Sequence, residues 1–299
     1  MPRIRSWSRR LTEPAAPSSR CVLGTGPWRS LHEALCARFP NVAPGDWLAR
    51  LAAGRVLDAG GAAFAVDAPF TAGLVVSYTR EVPDETQIPG EVLIVYADER
   101  IVVADKPAGL PVMPTGRWVR QTLQWRVLAA LGLEAAVPLH RLDRDTAGLV
   151  LLSVDRASRA AYQGLFRARR IRKQYEALAS PLPGRTWPLV YRSRLVRGDP
   201  FFRMRETDGE PNAETRLDVL ERHPQCWRYR LEPVTGRKHQ LRVHMAALGA
   251  PIRGDALYPE IGTVAGPLAL LARALEFVDP VDGRTRCFES RRELDPGGG

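Results

Sequence analysis

His140-Arg141-Leu142-Asp143-Arg144-Asp145-Thr146-Ala147-Gly148-Leu149 runs straight into the apolar stretch Val150-Leu151-Leu152 and then Ser153-Val154. Two carboxylates, two guanidiniums, an imidazole and a glycine share one turn that feeds a core strand. Charges at the edge of a core are expensive to desolvate unless they are paired. The turn therefore reads as a site rather than a surface loop. A second polar cluster, Gly236-Arg237-Lys238-His239-Gln240-Leu241-Arg242-Val243-His244, supplies cations and an amide that could face the first.

Working outward from that turn, strands are predicted at 92–96, 101–104, 149–154, 172–179, 214–221 and 227–233. A helix is predicted over 119–131, with Leu123, Val127, Leu128 and Leu131 on one face and Gly132 as its stop. Asp155 predicts the cap of a further helix, and 241–248 reads as another, ended by Gly249. Strands joined as hairpins, with helices between some of them, make an α+β fold with a mixed, largely antiparallel sheet flanked by helices.

The N-terminal part reads differently. Residues 1–26 are rich in Arg, Pro and Ser and predict a basic tail without fixed structure. Residues 27–85 predict a small α/β module. Ser30 and Glu33 form a capping box for a helix reaching 39, a second helix fits 46–53, and short strands fit 55–57 and 73–78. A polar segment with two prolines, 81–90, marks the boundary, and 86–299 forms the large domain.

Composition narrows the function classes. The 299 residues are 45% hydrophobic and 25% charged, which suits a soluble globular protein. The net charge of +10 points to a polyanionic partner, with nucleic acid ahead of an anionic membrane. Only Lys106, Lys173 and Lys238 are lysines; every other basic side chain apart from histidine is arginine, a planar fork suited to phosphate. Cys21, Cys36, Cys226 and Cys287 include no C-x-x-C pair and read as reduced thiols of a cytoplasmic protein. No apolar run approaches the roughly 18 residues of a membrane span, and the basic N-terminus lacks the apolar core of a secretory signal.

Four segments, in order, resemble the motifs of the RluA-type pseudouridine synthases. They are Asp105-Lys106-Pro107-Ala108-Gly109-Leu110; His140-Arg141-Leu142-Asp143 with Thr146 and Gly148; Lys173-Gln174-Tyr175-Glu176-Ala177; and Gly236-Arg237 through His239-Gln240-Leu241-Arg242-Val243-His244, continued by Gly249, Pro251-Ile252 and Gly254-Asp255. Four motifs in sequence outweigh any single one. The resemblance covers about 92–294. It implies the pseudouridine synthase catalytic fold and isomerisation of uridine to pseudouridine in RNA, with no cofactor and no metal. It also implies Asp143 as the catalytic aspartate, Tyr175 as the aromatic residue under the target base, and Arg242 as the basic partner of Asp143. The chemistry suits those types. A carboxylate can act as nucleophile or base, an adjacent arginine balances its charge and fixes its rotamer, and an extruded base needs a ring to rest on. Lys238 stands where the family has threonine or serine, and Ala147 where it has serine, which bears on substrate detail.

Arg141, Lys106, Arg237, Lys238, His239 and Gln240 are candidates for RNA contact, together with Arg50 and Arg55 of the small module, which loosely resembles an RNA-binding module found in relatives. Ribosomal RNA is the favoured substrate and transfer RNA the next; no membrane or DNA partner is expected, and the chain is expected to act as a monomer. Other readings stay open. An acid between two arginines is as readily a structural salt bridge, and a tyrosine in a strand is more often core than site. A non-catalytic RNA-binding or assembly factor would keep the fold without activity. A metal-dependent nuclease would use Asp143 and Asp145, although Arg144 sits between them and no third oxygen ligand is evident. His239 and His244, five apart, fall on different helix faces and do not suit zinc.

Overall fold

The computed structural model describes residues 18–79, 85–116, 118–262 and 266–297. They divide into two compact units, a small one up to Glu85 that also takes in Gly116–Arg120, and a large one made of the rest.

In the small unit Ser30 caps α1 (Leu31–Arg38), its hydroxyl accepting the Glu33 amide at 3.2 Å, while the Glu33 carboxylate accepts the Arg29 amide at 2.8 Å. The second helix, α2 (Pro44–Ala52), starts two residues before the predicted point, because a proline fits the first helical turn, where no amide donor is needed. Strands β1 (Ser18–Val22), β2 (Val56–Leu57) and β3 (Val75–Thr79) form an antiparallel sheet in the order β1-β3-β2. The expected unstructured tail is thus corrected from Ser18 onward: Ser18–Val22 pair with β3, which buries Leu23 beyond them. The rest of that tail, 1–17, lies outside the described residues. Trp47 is fully buried between Phe39 and Tyr78, with ring centroids at 5.4 and 5.0 Å. Arg50 lays its guanidinium over the Trp47 ring at 4.9 Å, and Arg55 lies exposed just before β2.

The large unit is built on an 11-stranded sheet. In chain order its elements are β4 (Leu93–Ala97), β5 (Ile101–Lys106), α3 (Leu123–Leu131), β6 (Val137–Pro138), β7 (Ala147–Ser153), α4 (Arg159–Arg167), β8 (Arg172–Ala179), β9 (Leu189–Arg197), β10 (Met204–Thr207), β11 (Ala213–Arg222), β12 (Trp227–Pro233), α5 (Gln240–Ala247), β13 (Leu270–Val278) and β14 (Thr285–Glu289). The strand order is β10-β9-β11-β12-β8-β13-β7-β5-β4, with β14 also on β13 and β6 also on β7. Among the described residues every strand pairing is antiparallel except β13 with β7, so the sheet is mixed and largely antiparallel, as the sequence predicts. One core cluster gathers Leu178, Tyr229, Leu231, Met245 and Ile252; another gathers Val103, Leu149, Leu151, Tyr162 and Leu165.

Helix α3 begins at Leu123 rather than 119. Thr122 caps it by accepting the Trp125 amide, and the Glu85 carboxylate takes the Val119 and Arg120 amides instead. Gly132 ends it at φ 61°, the left-handed conformation a glycine adopts without strain. Asp155 organises a turn by accepting the Ala157 and Ser158 amides, and α4 follows only from Arg159.

The single parallel pairing decides where the site lies. Gly148 sits at φ 111°, and a Cβ there would collide with the Ala272 carbonyl. That close approach brings the start of β7 against β13. Ala272 pairs with Gly148 on one side and with Tyr175 of β8 on the other. The charged turn that precedes β7 is thereby set beside Tyr175.

Candidate active site

The Asp143 turn is braced from below. Successive strand residues point to opposite faces, and at the end of β5 this sends two buried charges in opposite directions. Asp105 accepts from the Ser290 hydroxyl at 2.8 Å, the Arg291 amide at 3.0 Å and the Arg292 guanidinium at 3.0 Å. Lys106 donates all three of its protons to the carbonyls of Pro107, Leu110 and Arg144, at 3.0, 2.7 and 2.8 Å. Arg144 belongs to the Asp143 turn, so Lys106 holds that turn to the sheet. Lys106 is fully buried, and burial pushes its pKa down to about 7. The expectation that it contacts RNA is corrected: its donors are spent and no solvent reaches it. Within the turn, the Thr146 amide donates to the Asp143 carbonyl, and Arg144 pairs with Asp145 at 3.0 Å on the exposed side. The His140 Nε2 accepts the Leu151 amide at 3.0 Å, and its ring stacks on Phe166 with centroids 4.9 Å apart.

The second cluster closes over the first from α5. Gln240 fixes it to β11. Its Oε1 accepts from the Thr235 hydroxyl and the Arg237 amide, and its Nε2 donates to the Glu214 carbonyl and the Thr215 hydroxyl. With its amide fully engaged and buried, Gln240 is a brace, which corrects its assignment as an RNA contact. Arg242, only 4% exposed, forms a bidentate pair with Asp255 at 2.8 and 2.6 Å. Its remaining nitrogen, Nη1, lies 3.5 Å from the Asp143 carboxylate. Asp143 is thus the second carboxylate on Arg242, and Asp255 is the first, a refinement of the expected two-residue pairing. The same Asp255 carboxylate accepts the Leu257 and Tyr258 amides and so sets Tyr258 in place.

Tyr258 links the site to the neighbouring strand. Its hydroxyl oxygen accepts the Met204 amide at 2.8 Å and lies 2.7 Å from the His239 Nδ1. When the hydroxyl donates to Nδ1, the His239 proton resides on Nε2, which points at Asp143 across 3.7 Å. Burial outweighs the Asp143 charge and holds the His239 pKa below its ordinary value. His239 adopts φ 54° at the head of α5, an uncommon conformation for a non-glycine residue, and this fixes its ring toward Asp143.

These parts line a cavity of about 690 Å³. Asp143, Tyr175, Arg242, Arg141, Arg237, Lys238 and His239 all border it. Arg50 and Arg55 belong to the small unit. Asp143 is the one carboxylate among the described lining residues, against seven cations. Three of those cations, Arg167, Arg169 and Lys173, were not expected from the sequence. The signal for two was the basic run after α4: Arg169 stands at φ 55° just past the helix end, where glycine is the usual residue. Burial, and behind it the Asp143 carboxylate, pushes the Tyr175 phenol well above its ordinary pKa, so it stays protonated at neutral pH. The arrangement offers one carboxylate, an aromatic ring and a phosphate-attracting rim. Among the described residues no cluster of His, Cys, Asp and Glu could hold a metal ion.

Comparison with known proteins gives this geometry its class. The model of the RNA pseudouridylate synthase family matches residues 100–247. The dual-specificity RNA pseudouridine synthase RluA of Haemophilus influenzae is 32% identical over 207 residues, which is 67% of this chain and 93% of that one. Its namesake in Escherichia coli is 34% identical over 203 residues, 66% of this chain and 92% of that protein. Among solved structures, human RNA pseudouridylate synthase domain containing 1 superposes with a TM-score of 0.59 at 26% identity, covering 70% of this chain and 88% of its own. The chain belongs to the pseudouridine synthases of the RluA/RsuA-like superfamily, and is an isomerase acting on RNA.

Two histidines of this unit give a pH prediction. Burial, with Lys173 adding to it, pushes His140 down to about 3. Burial pushes His244, held between the Thr215 and Ser193 hydroxyls, down to about 4. An ordinary histidine titrates near 6.5. As pH falls through that value the unfolded chain gains two protons that the folded chain refuses. Stability is therefore full above about pH 6.5 and falls toward pH 4, by up to about 2.7 kcal/mol per pH unit from the two rings together. Urea midpoints measured between pH 7 and pH 4 check this. A flat profile across that window would mean that both rings charge within the fold.

Proposed function

We propose that this chain isomerises uridine in structured RNA with Asp143 as the catalytic carboxylate, Tyr175 beneath the extruded base, and Arg242 positioning Asp143. The observation that carries the reading is the composition of the cavity, one carboxylate facing seven cations around a partly buried aromatic ring. Cations draw the phosphates in, and the one acid is left for the chemistry. In the reaction the C1′–N1 bond breaks, the base turns, a C1′–C5 bond forms, and the C5 proton is lost while N1 gains one. Asp143 is the group suited to assist as nucleophile or base. The protonated Tyr175 phenol gives the base a neutral ring to lie against.

The RNA contacts in this reading are Arg141, Arg237, Lys238 and His239 at the cavity, joined by Arg167, Arg169 and Lys173. Arg50 and Arg55 serve the small unit, which we read as an accessory RNA-binding module. Ribosomal RNA is the first substrate class and transfer RNA the second, and the protein works as a cytoplasmic monomer with its four cysteines as free thiols. Pseudouridine mapping in total RNA from cells with and without the protein tests the reading. Loss of one or a few ribosomal RNA sites is expected. Loss confined to transfer RNA would move the substrate to the second class, and an unchanged map would refute the reading.

A further inference from the structure

Phe201 is 80% exposed, the most exposed large hydrophobic side chain among the described residues. It stands at the tip of the β9–β10 hairpin with Phe202, itself 39% exposed. A lone exposed apolar residue needs no explanation, but this tip is anchored to the wall of the active site. Lys238, which borders the cavity, donates from Nζ to the Phe202 carbonyl at 2.6 Å. Arg203 donates to the Pro259 carbonyl at 2.5 Å and lies 5.0 Å over the Tyr258 ring. The Met204 amide donates to the Tyr258 hydroxyl oxygen, whose other partner is His239. From Phe201, then, one short chain of contacts leads through Tyr258 and His239 to Asp143.

The tip also holds itself rigid. The Gly198 amide donates to the Arg203 carbonyl at 3.1 Å, and the Arg203 amide to the Pro200 carbonyl at 2.8 Å. Phe202 meets Phe201 edge to face, with centroids 5.7 Å apart at 78°, so Phe202 supports the Phe201 ring on one side and leaves it open to solvent. Two cations adjoin the ring pair, Arg203, which follows Phe202 in the chain, and Lys238, which reaches the Phe202 carbonyl, while Asp199 precedes Phe201 by two residues. An open aromatic ring among cations suits a polyanion with exposed bases. Bases stack on such rings in single-stranded RNA, whereas a paired base has no face to offer.

We propose that the β9–β10 tip is a second RNA contact, with Phe201 as a stacking platform for an unpaired nucleotide near the target uridine. This rests on the reading of the site as an RNA isomerase. It adds that the substrate carries its uridine in a loop or single-stranded segment, since only there is a neighbouring base free to stack.

The test uses the full chain, a fluorescein-labelled stem–loop RNA with a pyrimidine-rich loop, and a fully paired duplex of the same length. Binding is read by anisotropy at one fixed salt concentration, because the electrostatic part of affinity moves with salt. Phe201→Ala should weaken stem–loop binding roughly tenfold, which corresponds to about 1.4 kcal/mol of base stacking, and leave duplex binding unchanged. Phe201→Trp should bind the stem–loop at least as well as the parent. Unchanged stem–loop binding by Phe201→Ala, or an equal loss on both RNAs, would overturn the proposal. Pseudouridine formation by the parent chain on total RNA, measured in parallel, judges the activity separately. A parent that forms none, yet discriminates loop from duplex through Phe201, refutes the isomerase reading and leaves the stacking contact standing.

Discussion

Asp143→Asn should bind substrate RNA as the parent does and form no detectable pseudouridine, a rate loss on the order of a thousandfold or more, as expected when a reacting group is removed. The variant separates chemistry from structure. Among the described residues the charged contacts of the Asp143 carboxylate are long ones, 3.5 Å to Arg242 and 3.7 Å to His239, and the side chain is 23% exposed. The turn itself is closed through the Asp143 backbone carbonyl and Thr146, which asparagine retains. Stability should therefore change by less than about 1 kcal/mol. Single-turnover conversion of a uridine-containing RNA, measured beside a denaturant midpoint, reads both. Near-normal conversion would remove Asp143 from the chemistry. A large fall in stability would make it a structural acid, as the isolated sequence also allows.

Much of the fold was legible because its signals are local. The strands at 172–179 and 227–233 match the structure to the residue, and the Ser30 capping box and the Gly132 stop act where the sequence puts them. The strands that escaped notice owe their character to distant partners. β13 sits near the middle of the sheet yet carries Arg273, whose charge breaks the apolar run; the charge is tolerable because Glu176, far away in the chain, pairs with it at 2.7 Å. β9 alternates half-buried with arginine-rich exposed positions, and the Gly198–Pro200 turn after it gives the whole segment the look of a loop. The site shows the same division. Asp143, Tyr175 and Arg242 are named by their motifs, but their partners are set by packing. Lys106 and Gln240 carry donors that suit RNA equally well on paper, and only the fold reveals that buried carbonyls and hydroxyls have taken them. Tyr258 sits in a segment with no motif of its own, so its contact with His239 has no local signature.

Asp255→Ala should be the most destabilising single change in the site, costing about 3–5 kcal/mol, the range for breaking a buried ion pair by removing one partner. Both side chains of the pair are nearly inaccessible, 4% for Arg242 and 1% for Asp255, so the guanidinium left behind cannot recover its hydration. Gly254 makes the pair possible: at φ 74° its backbone lies so close to the Pro267 carbonyl that a Cβ would clash, and this turns Asp255 inward. Losing Asp255 also releases the Leu257 and Tyr258 amides, and with them the ring that holds His239 toward Asp143. Activity should therefore fall along with stability even though Asp255 does not line the cavity. A double-mutant cycle isolates the charge. Arg242→Met combined with Asp255→Ala removes the stranded cation and should regain the larger part of the lost stability, the remainder being the two amide bonds. Urea midpoints for the parent, the two single variants and the double variant give the coupling. If Asp255→Ala costs less than about 1 kcal/mol, or the double variant is simply the sum of the two, the pair does not hold the site together, and Arg242 is kept in place by α5 alone.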